Sequence, residues 1–105
     1  MAVDFDVCQQ AFGFSPEQVT YQIQHAKAIY GGNKIQGSRI MFTNGQIDPW
    51  RANGVAVSPN EEEPVLLVAG ASHHFWTHPS LPTDSAPVNA ARQAIWTQVS
   101  NWLAL

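Results

Sequence analysis

Two short apolar runs, residues 39–43 and 64–69, dominate the pattern of hydrophobic and polar positions along the chain. Neither run alternates between apolar and polar residues, which is typical of strands that are covered on both faces. The roughly twenty residues between the runs exceed the dozen that a parallel connection needs. We therefore expect two parallel strands joined by a crossover, with a short helix at 50–55 and a solvated surface turn at 59–63.

One helix is predicted before the strands. Ser15 and Pro16 are typical of an N-cap and a first helical position, and an acid follows in the first turn. The apolar side chains then recur at helical spacing on one face, and Gly31-Gly32 ends the segment. Residues 1–14 are expected to be irregular.

A second helix is predicted after the strands. Asp84 or Ser85 would cap it, with Pro87 in its first turn. Its apolar positions recur at steps of three and four residues and form a stripe suited to docking on a sheet, namely Val88, Ala91, Ile95, Val99 and Trp102. The order helix, strand, crossover, strand, helix predicts an α/β fold whose sheet is incomplete, the edge of a larger sheet.

The composition also indicates a fragment. Charged residues make up 12% of the 105 residues, against the usual quarter for soluble domains, and the chain carries four tryptophans. Such a chain is expected to bury much of its surface against other polypeptide. The net charge of −3 with scattered basic residues argues against nucleic acid as a partner. No apolar run approaches the roughly 18 residues of a membrane span, and the N-terminus lacks the features of a signal peptide.

Candidate chemistry follows each predicted strand. Asp48 stands before Pro49 after the first strand, and His73 and His74 stand after the second. Asp48 can be a turn aspartate that bonds its own backbone, or a carboxylate that orients an imidazole. An acid and then a histidine on successive strands match the last two members of the Ser, Asp, His order of α/β-hydrolases, which favours the second interpretation.

Two other uses of these residue types remain open. His73, His74 and His78 could hold a metal ion, but Pro79 makes a regular helix doubtful and no acid lies near them in sequence, so we predict neither a metal nor a cofactor. Cys8, the single cysteine, is a small buried thiol or half of a disulfide whose partner lies outside this chain.

The motifs together resemble a known family. The run Asn44-Gly45-Gln46-Ile47-Asp48-Pro49-Trp50 with the later Ala71-Ser72-His73-His74 is similar to the C-terminal part of the lysosomal Pro-X carboxypeptidase and dipeptidyl-peptidase II family of serine peptidases. Tyr30-Gly31-Gly32 before this run, and Ala91-Arg92 and Asn101-Trp102-Leu103 after it, continue the resemblance, which covers the chain from about Asp6.

The resemblance implies a fold and a mechanism. Residues 1–105 would be the C-terminal portion of an α/β-hydrolase peptidase domain that cleaves peptides after proline, in a lysosome, a vacuole or outside the cell. Asp48 would be the triad acid and His73 the general base. Trp50 and His74 would contact the substrate, although Trp50 suits a core position equally well. Cys8 would form a disulfide with an upstream cysteine.

Departures from the family pattern limit what this chain does alone. No Gly-x-Ser-x-Gly elbow occurs, and Ser38 and Ser72 stand in no such turn, so the nucleophile region and the helical cap are expected to lie outside the chain. The sequence Phe75-Trp76-Thr77-His78-Pro79 replaces a Leu-Asp-Leu type of segment and leaves carboxypeptidase and dipeptidyl peptidase open. We expect an inactive fragment; the alternative is a non-catalytic module that binds other subunits, or a second copy, through its uncovered sheet edge.

Overall fold

A computed structural model of the chain describes residues 5–35 and 37–104, divided between two compact units, residues 1–36 and 37–105. The first unit contains α1 (Phe5–Phe12) and α2 (Pro16–Tyr30). The second contains β1 (Phe42–Gly45), a first 3-10 helix (Pro49–Asn53), β2 (Val65–Val68), a second 3-10 helix (Phe75–Thr77) and α3 (Ala86–Leu103). The predicted mixture of helices and parallel strands is confirmed. No helix of the described ranges is long and apolar enough to cross a membrane.

The first unit corrects one prediction and confirms another. Residues 5–12 are helical instead of irregular, and residues 1–4 lie outside the described part. This short helix lacks the start signals that mark α2, and it ends where the Gly13 N–H donates to the Gln9 carbonyl at 2.9 Å with φ of 72° at Gly13. α2 begins as predicted, because the Ser15 and Gln18 side chains each accept the other's backbone N–H in a capping box.

The second unit is organised on a parallel strand pair. Phe42 lies opposite Val65 and Gly45 opposite Val68. β2 lies within the predicted segment, but β1 begins three residues later than predicted and extends to Gly45. Arg39 has φ of 57°, a left-handed conformation that no strand contains, so the ladder cannot start there.

The core of this unit is small. The cluster of fully buried apolar residues consists of Val68, Ala71, Val88 and Ala91, with Phe75 and Trp76 among the half-buried residues packed against it. α3 therefore docks through the first two positions of its predicted stripe. Farther along the stripe, Ile95 and Trp102 are only half-buried and Val99 is 37% exposed.

The acidic segment before β2 is only partly the predicted surface turn. Glu61 and Glu62 are exposed, but the Glu63 side chain is fully buried, and neither of its carboxylate oxygens has a hydrogen-bond partner. The Ser58 hydroxyl donates to the Glu63 carbonyl at 2.9 Å, and the side chain points inward beside Gly37. The prediction of a solvated turn is wrong at Glu63. The direction in which the chain enters β2 decides which of the three acids faces inward, and the sequence does not show that direction.

We predict that replacing Glu63 with methionine stabilises the second unit. An unpaired buried polar group costs about 1–3 kcal/mol, and methionine fills a similar volume without it. The free energy of unfolding, measured by urea denaturation, should rise by about that amount. The matched control is Glu62→Met at the exposed neighbouring position, which should change stability by less than about 0.5 kcal/mol. A loss of stability in Glu63→Met alone would contradict the prediction.

Candidate active site

The carboxyl ends of β1 and β2 lie at one edge of the sheet, and hydrogen bonds tie together the segments that leave them. The Gln46 N–H donates to the Val68 carbonyl at 3.0 Å, and the Ile47 N–H donates to the Ala71 carbonyl at 3.1 Å. The Gln46 side chain accepts the Gly70 N–H at 2.8 Å. These bonds place the segment that carries Asp48 against the segment that carries His73.

Gly45 makes this approach possible. A Cβ atom at this buried position would lie 2.5 Å from the carbonyl oxygens of both Ala71 and Ser72, closer than any side chain tolerates. The backbone just before His73 therefore contacts the backbone at the end of β1. The glycine is needed for space, since the contact is between main chains.

Asp48 uses its two oxygens for two tasks. Its Oδ1 accepts the Trp50 N–H at 2.9 Å and caps the first 3-10 helix. Its Oδ2 lies 2.8 Å from Nδ1 of His73. The sequence left two roles for Asp48 as alternatives, a turn aspartate and a partner of an imidazole. The side chain fills both. The structure brings the predicted acid and base together; their catalytic roles stay a prediction.

The electrostatics of the pair follow from its surroundings. Burial by itself raises the pKa of the Asp48 carboxyl, but hydrogen bonds from the His73 ring and the Trp50 N–H, with the charges of His73 and His74, outweigh it and hold the pKa below its usual value. An ionised carboxylate only accepts hydrogen bonds, so Nδ1 of His73 carries the proton of this bond. In the neutral ring Nε2 is then the basic nitrogen, available to take up a proton.

An open pocket of about 370 Å³ adjoins the pair, and Asp48, Trp50, Arg51, His73 and His74 are among the residues that line it. The Trp50 side chain is 62% exposed, and its ring lies 6.4 Å from the His73 ring, tilted by 48°. Trp50 therefore lies outside the buried cluster of the second unit, and its contact with substrate stays a prediction. Both predicted substrate contacts, Trp50 and His74, face the same pocket as the predicted base.

Asn44 is a structural residue of this site to which sequence reasoning gave no role. Its side-chain Nδ2 donates to the Val55 carbonyl at 2.9 Å, which joins the end of β1 to the chain beyond the first 3-10 helix. A Cβ at Gly54 would lie 2.5 Å from Asn44 Oδ1, so that glycine gives the amide its room. The sequence did contain a sign of this role, since a polar side chain at the end of an apolar run needs a hydrogen-bond partner when it is buried.

The other two histidines of the second unit, His74 and His78, follow His73 in a row of ring contacts. The His74 ring lies 4.5 Å from the His73 ring and 5.5 Å from the His78 ring, each edge to face. Among residues 5–35 and 37–104, no group of three or more His, Cys, Asp or Glu side chains is arranged to hold a metal ion. In the other unit, Cys8 is a half-buried free thiol in α1, and its disulfide stays a prediction.

We predict that Gly45→Ala separates Asp48 from His73. The added methyl group must push the Ala71–Ser72 backbone away, at a cost of about 1–3 kcal/mol in the free energy of unfolding. Nitrogen-15 NMR of the His73 ring should show loss of the Nδ1–H tautomer that the carboxylate holds.

Gly70→Ala is the control for this substitution. Gly70 has φ of 66° but nothing within 4 Å of its hypothetical Cβ, so alanine there brings backbone strain without a clash. We expect it to cost about 1–2 kcal/mol and to preserve the His73 tautomer. Loss of the tautomer in both variants, or in neither, would argue against the close approach at Gly45 as its cause.

We further predict that the Asp48–His73 pair makes stability sensitive to acid. Because the pKa of Asp48 is lower in the folded chain than the usual unfolded value of about 3.9, its contribution is complete above that value and is lost as pH falls through the folded pKa. Thermal unfolding from neutral to acid pH should show a shallower decline for Asp48→Asn than for the unaltered chain. Parallel curves would contradict this account.

Comparison with known proteins gives the site its context. Residues 2–95 match the family described as serine carboxypeptidase S28. The chain is 36% identical over 98 residues to the thymus-specific serine protease of Mus musculus, which is 93% of this chain and 19% of that protein. It is 26% identical over 99 residues to the lysosomal Pro-X carboxypeptidase of Homo sapiens, again 93% of this chain and 19% of that protein.

The chain thus spans about a fifth of the length of the relatives it matches. The resemblance that the Asn-Gly-x-x-Asp-Pro-Trp and His-His motifs carried is confirmed, because the match extends over nearly the whole chain. The family consists of serine peptidases, which act on peptide substrates. This chain belongs to the serine carboxypeptidase S28 family.

Proposed function

We propose that this chain supplies the acid and the base of a serine exopeptidase that hydrolyses peptide bonds after proline. Asp48 is the triad acid and His73 the general base. The observation that carries the proposal is the 2.8 Å hydrogen bond between them at the carboxyl ends of two parallel strands. An acid and then a histidine at the ends of consecutive strands match the order in α/β-hydrolases, so we assign the chain to the C-terminal part of such a fold.

The mechanism follows from the protonation of the pair. Nε2 of His73 takes the proton of the serine hydroxyl while its oxygen attacks the carbonyl carbon of the scissile bond. The imidazolium that forms is stabilised by the Asp48 carboxylate, and it returns the proton to the leaving amine as the peptide bond breaks. Water then attacks the acyl-enzyme, with His73 first accepting the proton of the water and then returning a proton to the serine oxygen.

The nucleophile and the oxyanion donors belong, in this proposal, to polypeptide beyond these 105 residues. Ser38 and Ser72 lack the glycines of a nucleophile elbow. The exposed apolar surface of the second unit supports a missing covering layer, since Leu67 of β2 is 52% exposed and Trp96 of α3 is 66% exposed. The rest of the peptidase domain is the partner that suits this surface best; a homodimer is the alternative.

The pocket supports a prolyl substrate and favours cleavage at its carboxyl end. The exposed face of Trp50 beside His73 suits a proline ring. Arg51 and His74 line the same pocket, and a guanidinium is well matched to the free carboxylate of a peptide C-terminus. A dipeptidyl peptidase instead binds a substrate ammonium group, for which the pocket offers Asp48, a carboxylate already bonded to His73.

The setting that we propose is lysosomal or secreted. Relatives that match most of the chain carry the name lysosomal Pro-X carboxypeptidase. A disulfide from Cys8 to a cysteine outside the chain suits an oxidising compartment of this kind.

The test compares this chain with a polypeptide extended to include a Gly-x-Ser-x-Gly elbow. We expect the 105-residue chain to cleave no N-blocked prolyl peptide, and the extended protein to do so. In the extended protein, Asp48→Asn should lower kcat by about 10⁴-fold, and His73→Ala by at least as much. His25→Ala, in α2 and stacked on Tyr21, is the control and should retain activity.

Three outcomes would contradict the proposal. The first is cleavage by the 105-residue chain alone that a serine-reactive inhibitor stops. The second is full activity of the Asp48 or His73 variant in the extended protein. The third is a folded extended protein without peptidase activity, which would favour the non-catalytic, subunit-binding module.

A further inference from the structure

Arg92, in the second turn of α3, is the most extensively bonded side chain among the described residues. Its Nε donates to the Trp76 carbonyl at 3.0 Å and its Nη2 to the His78 carbonyl at 3.2 Å. Its Nη1 donates to Asp84 Oδ2 at 2.6 Å. We propose that Arg92 is a positioning residue that holds His73 against Asp48 through the segment 74–84, an inference that rests on the proposed role of His73.

The carbonyls that Arg92 binds lie in the last turn and at the C-cap of the second 3-10 helix, two and four residues after His74. Carbonyls at a helix end lack partners within the helix, so an external donor fixes its position. A guanidinium presents its N–H groups in a rigid planar fork, and here the fork joins two backbone carbonyls to one carboxylate. The Arg92 side chain thus binds the segment after His73 at three residues, namely Trp76, His78 and Asp84.

Asp84 completes the anchor. Its side chain is 3% exposed and that of Arg92 is 20% exposed, so the ion pair is shielded from water. Asp84 Oδ2 also accepts the Leu81 N–H at 2.8 Å. The hydrogen bond from Leu81 and then that from Arg92 lower the pKa of Asp84, which keeps the carboxylate ionised. Arg92 therefore connects α3 to both ends of segment 76–84.

His74 makes the position of His73 depend on this anchor. His74 has φ of 39° and ψ of 30°, a left-handed conformation that is uncommon for a residue with a side chain and that contacts on both sides can hold in place. On its upstream side, the contact at Gly45 fixes Ala71 and Ser72. On its downstream side, Arg92 fixes the 3-10 helix. Without Arg92, His74 can relax to a right-handed conformation, which rotates His73 away from Asp48.

Apolar packing alone does not give the same constraint. Phe75 and Trp76 pack against the core cluster and hold the 3-10 helix close to α3. The hydrophobic effect itself is not directional, so this packing sets the distance of the short helix from the core more than its rotation. The hydrogen bonds from Arg92 to the carbonyls of Trp76 and His78 set the rotation of the short helix, and this rotation determines the orientation of the His73 ring.

The experiment measures the His73 tautomer in this chain by nitrogen-15 NMR at mildly alkaline pH. We expect Arg92→Gln to lose the Nδ1–H form, and Arg92→Lys, which keeps a charge for Asp84 but not the fork, to lose part of it. Arg39→Gln, at an exposed position outside the segment, is the matched control and should give the unaltered spectrum. A folded Arg92→Gln chain with the unaltered His73 spectrum would overturn the proposal.

Asp84→Asn keeps the test decisive if Arg92→Gln does not fold. It leaves the guanidinium in place and removes the charge that orients it, so part of the Nδ1–H form should be lost. An unchanged His73 spectrum in folded Asp84→Asn overturns the proposal equally. A purely structural Arg92 would lower the unfolding temperature and leave the tautomer of the folded chain as it is.

A kinetic measurement in the extended protein separates this inference from the proposed function. Arg92→Gln should lower kcat by about 10²-fold with little change in KM, because a displacement of about 1 Å at the reacting group costs that much. A higher KM with unchanged kcat would overturn the positioning role. If the extended protein is inactive while the tautomer still responds to Arg92, the peptidase proposal fails and the positioning inference stands.

Discussion

The site depends on the contact between two main chains at Gly45. β1 ends there, and the carbonyl oxygens of Ala71 and Ser72 lie only 2.5 Å from the position that a Cβ atom on Gly45 would occupy. His73 follows directly, so the contact that closes the strand ends also fixes where the imidazole leaves the backbone. The parallel register determines that both segments emerge at the same edge, and the glycine determines how close they come.

A local hydrogen bond orients the Asp48 carboxylate for its bond with His73, which is distant in the sequence. Its bond to the Trp50 N–H spans two residues, whereas the bond to His73 spans 25. The local bond fixes the side-chain rotamer within a turn that Pro49 already restricts, so less conformational entropy is lost when the non-local bond forms. Asn44 supports the same turn from the end of β1 through its bond to the Val55 carbonyl. Preorganisation of the acid is therefore built from neighbours in the sequence.

The sequence predicted the features that local chemistry determines. Ser15 begins α2 because its hydroxyl caps the helix, and the chain order of Asp48 and His73, with the family resemblance, pointed to a pair that lies at 2.8 Å. The start of β1 was predicted too early, because the left-handed backbone at Arg39 leaves no mark in composition. The burial of Glu63 was missed for a related reason, since tertiary packing decides which of three adjacent acids turns inward.

Residues 73–78, which carry three histidines, are held at their two ends by two carboxylates. Asp48 bonds His73 directly, and Asp84 acts through Arg92. Both have pKa values below their usual range: at Asp48 hydrogen bonds overcome the effect of burial, and at Asp84 the Leu81 N–H and then Arg92 lower it. A lysosomal enzyme works in acid, where an ordinary carboxylate begins to take up protons and a neutral one no longer holds its partner by charge. Two lowered pKa values keep both ends of the segment fixed as the pH falls. The lysosomal setting, one of the two that we propose, and the geometry of the pair therefore favour the same property of these carboxylates.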